Sequence, residues 1–376
     1  MKRWVLGLVL ALLIVAAPGF GVSAEEPLRV GLLAPLSGRL EAEGKEAKQV
    51  LELLVARIND SGGVLKQPLE LVVEDDADDP RNAVAAARRL LGQKVIAVIG
   101  GYSSAITEAV QPLVDAVGVV QVSPASTAVP LTRQGYHRFF RVCSRDDHQA
   151  PVIVDAIGRS GARRVAVVHD ESLYSRGLAV KAIQLLKQDA GREVAATTIV
   201  AGAEDYSEVL RALKAAQVDA LLLTNYYSEV GKLLRQSREL GWTVPMFGTD
   251  ATANPELVTI SGIDAARGFC FSSMPLPRNL PALEAKRFLV DYQARYGKPL
   301  QSVFSLLAGD ALQVVVFAIG KTGSSDSAAV AAYLHDGLKD FVGMSGQISF
   351  DPQGDREAPL YVNYCLDQGG APQLMF

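Results

Sequence analysis

Cysteine is scarce in this chain. Three are spread over 376 residues, at 143, 270 and 365, with no C-x-x-C pair, which excludes a disulfide-dense scaffold and a zinc site built on paired thiolates. Basic runs are absent as well: 37 Lys and Arg stand against 41 Asp and Glu, for a net charge of -4, and are not clustered as a phosphate-binding surface requires. No nucleic acid is therefore expected among the partners. The four histidines, at 137, 148, 169 and 335, have no metal-ligand spacing, and neither H-E-x-x-H, G-x-S-x-G nor a phosphate loop ending in G-K-[ST] occurs. What is present is a globular balance, 49% hydrophobic and 21% charged, in a chain long enough for two domains.

The start of the chain stands apart. Lys2 and Arg3 precede an apolar run from Trp4 to Ala17, and Val22-Ser23-Ala24 supplies small residues of the kind a signal peptidase requires. Residues 1–24 read as a signal peptide cut before Glu25, and losing the two cations lowers the net charge from -4 to -6. An exported protein is expected, periplasmic or otherwise extracytoplasmic. The other long apolar stretch, Val303 to Ile319, is interrupted by Ser305, Gly309, Asp310 and Gln313.

Beyond the leader, β-rich runs alternate with amphipathic segments. Leu28–Leu33, Leu69–Glu74, Val95–Ile99, Val119–Val122, Arg164–Val168 and Ala220–Leu223 read as strands. Between the first two, Ala47, Val50, Leu51, Leu54, Val55 and Ile58 form one stripe of a helix closed by Asn59-Asp60-Ser61-Gly62-Gly63. Further helices are expected at 280–297 and 303–320. This is the α/β alternation of parallel sheets, with more units than one open sheet of ordinary size holds. Two doubly wound lobes fit, and the extended segments Arg138–Cys143, Arg267–Ser272 and Gly346–Asp351 offer three crossings. The lobes then comprise 27–141 plus 272–345, and 146–269 plus 348–376.

In open α/β sheets ligands sit beyond the carboxyl ends of the strands. The residues found there are Gly100 to Ser104, Ser123 to Thr127, His169, Asp170 and Tyr174, Thr224 to Tyr227, and Gly248 to Asp250. The first-lobe loops carry hydroxyls and open helices, a combination that favours an anion. The second-lobe loops offer Asp250 and the aromatics Tyr174, Tyr226 and Tyr227, which favour a cation with an amphipathic body. Opposite preferences on facing lobes suit a zwitterion with one carboxylate and one ammonium.

Plainer readings compete. Ser103, Ser104 and Thr127 can cap helices, Asp250 can cap or sit in solvent, and the tyrosines can simply pack. His169 beside Asp170 could serve as base and orienter, or be structural. Asp75, Asp76, Asp78 and Asp79 lack the pattern of a calcium loop and read as a solvated turn closed by Pro80. One disulfide with a buried thiol, or three buried thiols, both remain open.

The stretches RVGLLAPLSG, ARINDSGGVLKQPLELVVEDDADDPRNAVAAARRL and VIAVIGGYSSAITEAVQPLVDAVGVVQVSPASTAVPLT carry a resemblance. So do FFRVCSRDDHQA, VAVVHDESLYSRGLAV, YYSEVGKLLRQSRELGWTVPMFGTDA and GMSGQISFDPQGDREAPLYV. In this order they resemble the type I periplasmic substrate-binding proteins of the branched-chain amino acid family. The resemblance implies two Rossmann-like lobes joined by three crossings, closing on an amino acid and delivering it to an inner-membrane ABC permease, with no catalysis, no cofactor and no metal, as a monomer. It places Ser104, Ala125 and Thr127 on the ligand carboxylate, Asp250 on the ammonium, Tyr174 and Tyr226 over the ligand, and Asp146 at a closure or ligand contact. Ser103, Ser126, Tyr102 and Asn225 complete the candidate set.

Two departures stand out. Glu43 precedes Gly44 where an aromatic often does, and Asp78 and Ser103 occupy the places of a bridge that many members form. Two other readings are kept: a sensor of the same fold for an amide, urea or aromatic acid, and a secreted hydrolase using His169 and Asp170.

Overall fold

The computed structural model describes residues 26–375; the expected signal peptide, 1–24, lies outside the described residues. Five parallel strands form the first sheet: β1 (Leu28–Ala34), β2 (Leu69–Asp75), β3 (Ala97–Gly100), β4 (Val120–Ser123) and β5 (Phe139–Arg141), in the order β2-β1-β3-β4-β5. The second sheet begins with the parallel strands β6 (Arg164–His169), β7 (Glu193–Thr198), β8 (Ala220–Leu223), β9 (Met246–Gly248) and β10 (Cys270–Ser273). A hairpin follows, β11 (Phe341–Gly343) with β12 (Gly346–Ile348). Then β13 (Val362–Leu366) and β14 (Pro372–Met375) add antiparallel to the second sheet, giving β14-β13-β10-β9-β8-β6-β7.

The crossover helices follow from ordinary end signals. Glu41–Asp60 carries Glu41 and Glu43 in its first turn and Arg57 in its last, favourable at either end of the helix dipole. Pro80–Gly92 starts on Asp79, whose carboxylate accepts from the amides of Arg81 and Asn82, with Pro80 where a missing N–H costs nothing. The helix Val303–Thr322 is capped by Ser302 and is apolar and long enough to cross a membrane, yet most of it is buried in the first lobe's core. Asp310 inside that helix is fully buried because it accepts from the amides of Met344 and Ser345, fastening the hairpin.

Several expectations shift. Strands β7, β11, β13 and β14 were not among the expected runs; β7 is largely exposed, so it does not show the buried apolar stretch that marks a strand. Ser272 and Ser273 pair with Asn363 and Val362 inside the second sheet, so the second crossing follows Ser273 instead of occupying Arg267–Ser272. The third runs from the β11–β12 hairpin up to Val362, beyond Gly346–Asp351. Near Asp355 that segment is pinned by Arg141, whose fully buried guanidinium pairs with Asp355 and donates to the carbonyls of Ser126 and Ala128.

The cysteines resolve as one bridge, Cys270–Cys365 between β10 and β13, with Cys143 a free buried thiol. The acidic turn is less solvated than expected. Asp76 and Asp78 are buried, and Asp78 meets Arg39 at 2.6 Å and accepts from Ser103 Oγ at 2.8 Å. The Ser103–Asp78 hydrogen bond thus ties the acidic turn to the loop after β3.

Candidate functional site

The residues past the strand ends meet between the lobes. A small cavity there, about 10 Å³, is lined by Tyr102, Ser104, Ala125, Thr127, Tyr174, Tyr226, Asp250, Ala251 and Phe304. That is far below the roughly 300–1,000 Å³ of ordinary ligand clefts, so the lining side chains nearly fill the closed cleft and a guest enters only as the lobes part. Larger hollows lie beside Trp242 and Phe269 and beside Pro255 and Leu300, but neither gathers groups from the strand ends.

On the first-lobe side the loop after β3 turns through Gly100 and Gly101, both at positive φ. A Cβ on Gly101 would fall 1.9 Å from Thr107 Oγ1. The Gly101 carbonyl accepts from Ser123 Oγ at 3.1 Å and Ser126 Oγ at 2.8 Å, tying the loops after β3 and β4 together. The helix Ser104–Val117 then starts without a side-chain cap, so its first amides keep their capacity for an anion. Ser104 Oγ accepts from the Ala128 amide at 3.2 Å, which leaves its proton to donate into the cavity.

On the second-lobe side Asp250 opens a short 3-10 turn after β9. Its carboxylate accepts from Tyr174 at 2.8 Å and from Tyr361 at 2.8 Å. Burial raises its pKa above the ordinary carboxylate range against the pull of those bonds. Asp146, first residue of the helix Asp146–Arg159, is 3% exposed and neither of its carboxylate oxygens has a hydrogen-bond partner. Burial, reinforced by the charge of Asp250, raises it well above its usual range. Four rings form a belt across the cavity: Tyr174 to Tyr226 at 5.3 Å, Tyr226 to Tyr102 at 6.3 Å, and Tyr102 edge-on to Phe304 at 5.6 Å.

The two lobes touch around this cavity. Arg39, in the loop after β1, binds Glu229 of the second lobe through paired 3.1 Å contacts, and its carbonyl accepts from Tyr227. Glu43 accepts from Asn254 of the second lobe at 2.6 Å and from Ser302 at 2.5 Å, and burial pushes its pKa up to about 7. Asp146 N donates to Thr127 O at 3.0 Å. These contacts describe a closed cleft.

The candidates fall into two groups. Ser104, Ala125, Thr127, Tyr102, Tyr174, Tyr226 and Asp250 line the cavity. Ser103 is turned to Asp78, and Ser126 uses its hydroxyl on Gly101 and Thr107. Asn225 departs from expectation, its amide donating to Asp170 instead of entering the cavity. His169 bonds the Asp170 carbonyl while the Asp170 carboxylate accepts from Ser172 and Asn225, a local turn and not a base with its orienter. Phe304, Ala251 and Tyr361 were missed. Ala251 directly follows Asp250 and could have been found; Phe304 is hidden in an apolar helix and Tyr361 in an irregular crossing. Glu43 lies behind Tyr102 and does not line the cavity, so its replacement of an aromatic leaves the aromatic belt intact.

A family model described as periplasmic binding protein matches residues 27–368. The chain belongs to that family. It is 30% identical to Leu/Ile/Val-binding protein homolog 3 of Brucella melitensis over 94% of this chain and 95% of the relative. Against Leu/Ile/Val-binding protein BraC3 of Rhizobium johnstonii the identity is 32%, over 95% and 96%. Among solved structures, the leucine-binding protein LivK of Thermotoga maritima superposes with a TM-score of 0.86 at 30% identity, covering 93% of this chain and 98% of that one. As in other type I periplasmic binding proteins, two α/β lobes flank the site, and it lies at the carboxyl ends of parallel strands from both.

Proposed function

We propose that the protein is the extracytoplasmic receptor of an ABC importer, binding one amino acid between its lobes and closing on it. The observation that carries this is the pairing, across one closed cavity, of an uncapped helix end with the buried carboxylate of Asp250. Ser104, the Ala125 backbone and Thr127 hold the ligand carboxylate; Asp250 holds its ammonium; Tyr102, Tyr226 and Phe304 enclose the side chain. The names of the relatives, which specify leucine, isoleucine and valine, support an aliphatic amino acid of that class. A signal peptide at 1–24 and a periplasmic location fit this role, and the protein works as a monomer without catalysis.

Binding energy drives closure because each pole of the ligand is satisfied by a different lobe, so the full set of bonds exists only in the closed form. Charge-assisted bonds in such a site contribute about 1.5–3 kcal/mol each. Titration calorimetry with L-leucine, L-isoleucine and L-valine tests the proposal. At least one should bind, and Asp250→Ala should raise its Kd by a hundredfold or more while circular dichroism stays unchanged. Unaltered affinity in the variant refutes the assignment of the ammonium to Asp250.

A further inference from the structure

The hollow beside Pro255 and Leu300 is a cavity of about 230 Å³ at the seam of the two cores. Leu257, Phe271, Leu276 and Leu366 on its wall belong to the core of the second lobe, and Leu300 opposite them to that of the first. No residue lining it carries a buried side-chain polar atom without a partner, so nothing inside calls for water. An apolar cavity of roughly 150 Å³ takes up benzene, so this one has room for a ring and a short chain.

The single charged side chain in the lining is Arg278, in the crossing after β10, and its exposure places it at the mouth. It forms no ion pair among the described residues. Asp367, whose carboxylate feels its charge, is already held by the amides of Gly369 and Ala371 and by Gln373. A cation at the mouth of an apolar hollow complements an anion with an apolar body. No carboxylate lines the cavity, so the ammonium of a second amino acid would lose its water there without gaining an ionic partner.

The cavity also backs onto the binding cleft. Thr252 and Ala253 line it from the turn that carries Asp250: the Ala253 amide donates to the Asp250 carbonyl at 3.0 Å, and Thr252 Oγ1 donates to the Thr249 carbonyl at 2.6 Å. Asn254, on the same wall, reaches Glu43 across the lobes, and Gln301 on the facing wall donates its amide to Glu46 at 3.0 Å. Walls drawn from both lobes come together only when the lobes do. A molecule filling the space therefore favours the closed form, and linkage makes the effect mutual with the cleft ligand.

We propose that this cavity is a second ligand site, for a small monocarboxylate with a compact apolar body. The body lies between the lobes and the carboxylate meets Arg278. Its occupation tightens the hold on the cleft ligand, a coupling that rests on the closure reading above, whereas the site itself does not.

Fluorine NMR with 4-fluorophenylacetate as probe tests the site, in protein saturated with whichever of L-leucine, L-isoleucine and L-valine binds, so that the cleft is occupied. Saturable binding is expected at millimolar probe. The neutral 4-fluorophenylacetamide, and the acid with Arg278→Gln, should bind more weakly by up to about fivefold, the range of one exposed ion pair. Val258→Trp fills the cavity from the helix Glu256–Ser261 and should abolish binding with circular dichroism unchanged. A crystal structure of the wild-type complex, which depends on no variant folding, should show the ring beside Phe271 and Leu300. Calorimetry of the amino acid with the probe present should give a Kd lowered several-fold. No probe binding by the wild type, undiminished binding by folded Val258→Trp, or probe density elsewhere overturns the site. Equal affinity for acid and amide overturns the role of Arg278, and an unchanged amino acid Kd overturns the coupling. If none of the three amino acids binds, the amino acid reading fails, while the titration and the crystal structure still decide the cavity.

Discussion

Glu43 shows how much one buried acid controls. It is 3% exposed, bonded to Asn254 and Ser302, and titrates at about 7 instead of its usual 4.5 because burial penalises its charge. A folded pKa raised above the unfolded one means a stability contribution that is complete below about 4.5 and is lost as pH rises through 7. Glu43→Gln keeps an acceptor and a donor in place without the charge. The variant should therefore unfold like the wild type near pH 4 but be more stable at pH 8, by up to about 3 kcal/mol. Thermal unfolding at the two pH values checks this; a variant less stable at pH 8 would mean that the carboxylate is held charged at a profit. From the sequence, Glu43 looked like a possible wall of the ligand pocket, since position along the chain does not reveal that Tyr102 and Phe304 stand in front of it. Asp250, Tyr174 and Tyr226 were legible because each directly follows a strand or opens a helix, where the fold itself aims a side chain at the cleft. Tyr361 was not, for it reaches Asp250 from a crossing with no periodic pattern.

At the scale of elements, the alternation of strand and helix was readable wherever a strand is buried on both faces, as β1, β3, β6 and β8 are. The second sheet's additions were harder. Strands β13 and β14 pair antiparallel at its edge and expose alternate residues, so their pattern is that of a loop with a few apolar positions. The Cys270–Cys365 bridge ties β13 to β10 across 95 residues of chain. Closing so long a loop restricts the unfolded chain, which by chain-entropy reasoning stabilises the fold by about 4.7 kcal/mol, with roughly 2–5 typical when a native bridge is removed. The double variant Cys270→Ser, Cys365→Ser should lose about that much in denaturant unfolding. Its ligand affinity should stay within a factor of two of the wild type at a temperature where both are folded, because neither cysteine lines the cavity. A large loss of affinity with little loss of stability would show instead that β13 transmits its position through Tyr361 to Asp250.

At the scale of the whole molecule, closure is a balance between contacts made by the ligand and contacts made by the lobes themselves. Arg39 carries much of the second kind: it meets Asp78 of its own lobe at 2.6 Å, Glu229 of the other through two bonds, and lies over the Tyr226 ring at 5.0 Å. Opening the cleft exchanges the Glu229 bonds for water while the Asp78 pair can persist. Replacing Arg39 by Met keeps some apolar bulk but leaves Glu229 facing the lobe junction without its partner, a cost of roughly 2–3 kcal/mol that falls on the closed form alone. Because ligand binding is coupled to closure, the apparent Kd should rise by about 30- to 150-fold, mostly through faster dissociation, with the cavity residues untouched. Solution scattering provides the independent readout. Saturated with ligand, both proteins should show the same compact radius of gyration, whereas without ligand Arg39→Met should be the more expanded of the two. Equal ligand-free dimensions together with an unchanged dissociation rate would mean that the lobes gain nothing from this contact and that the ligand alone holds them closed.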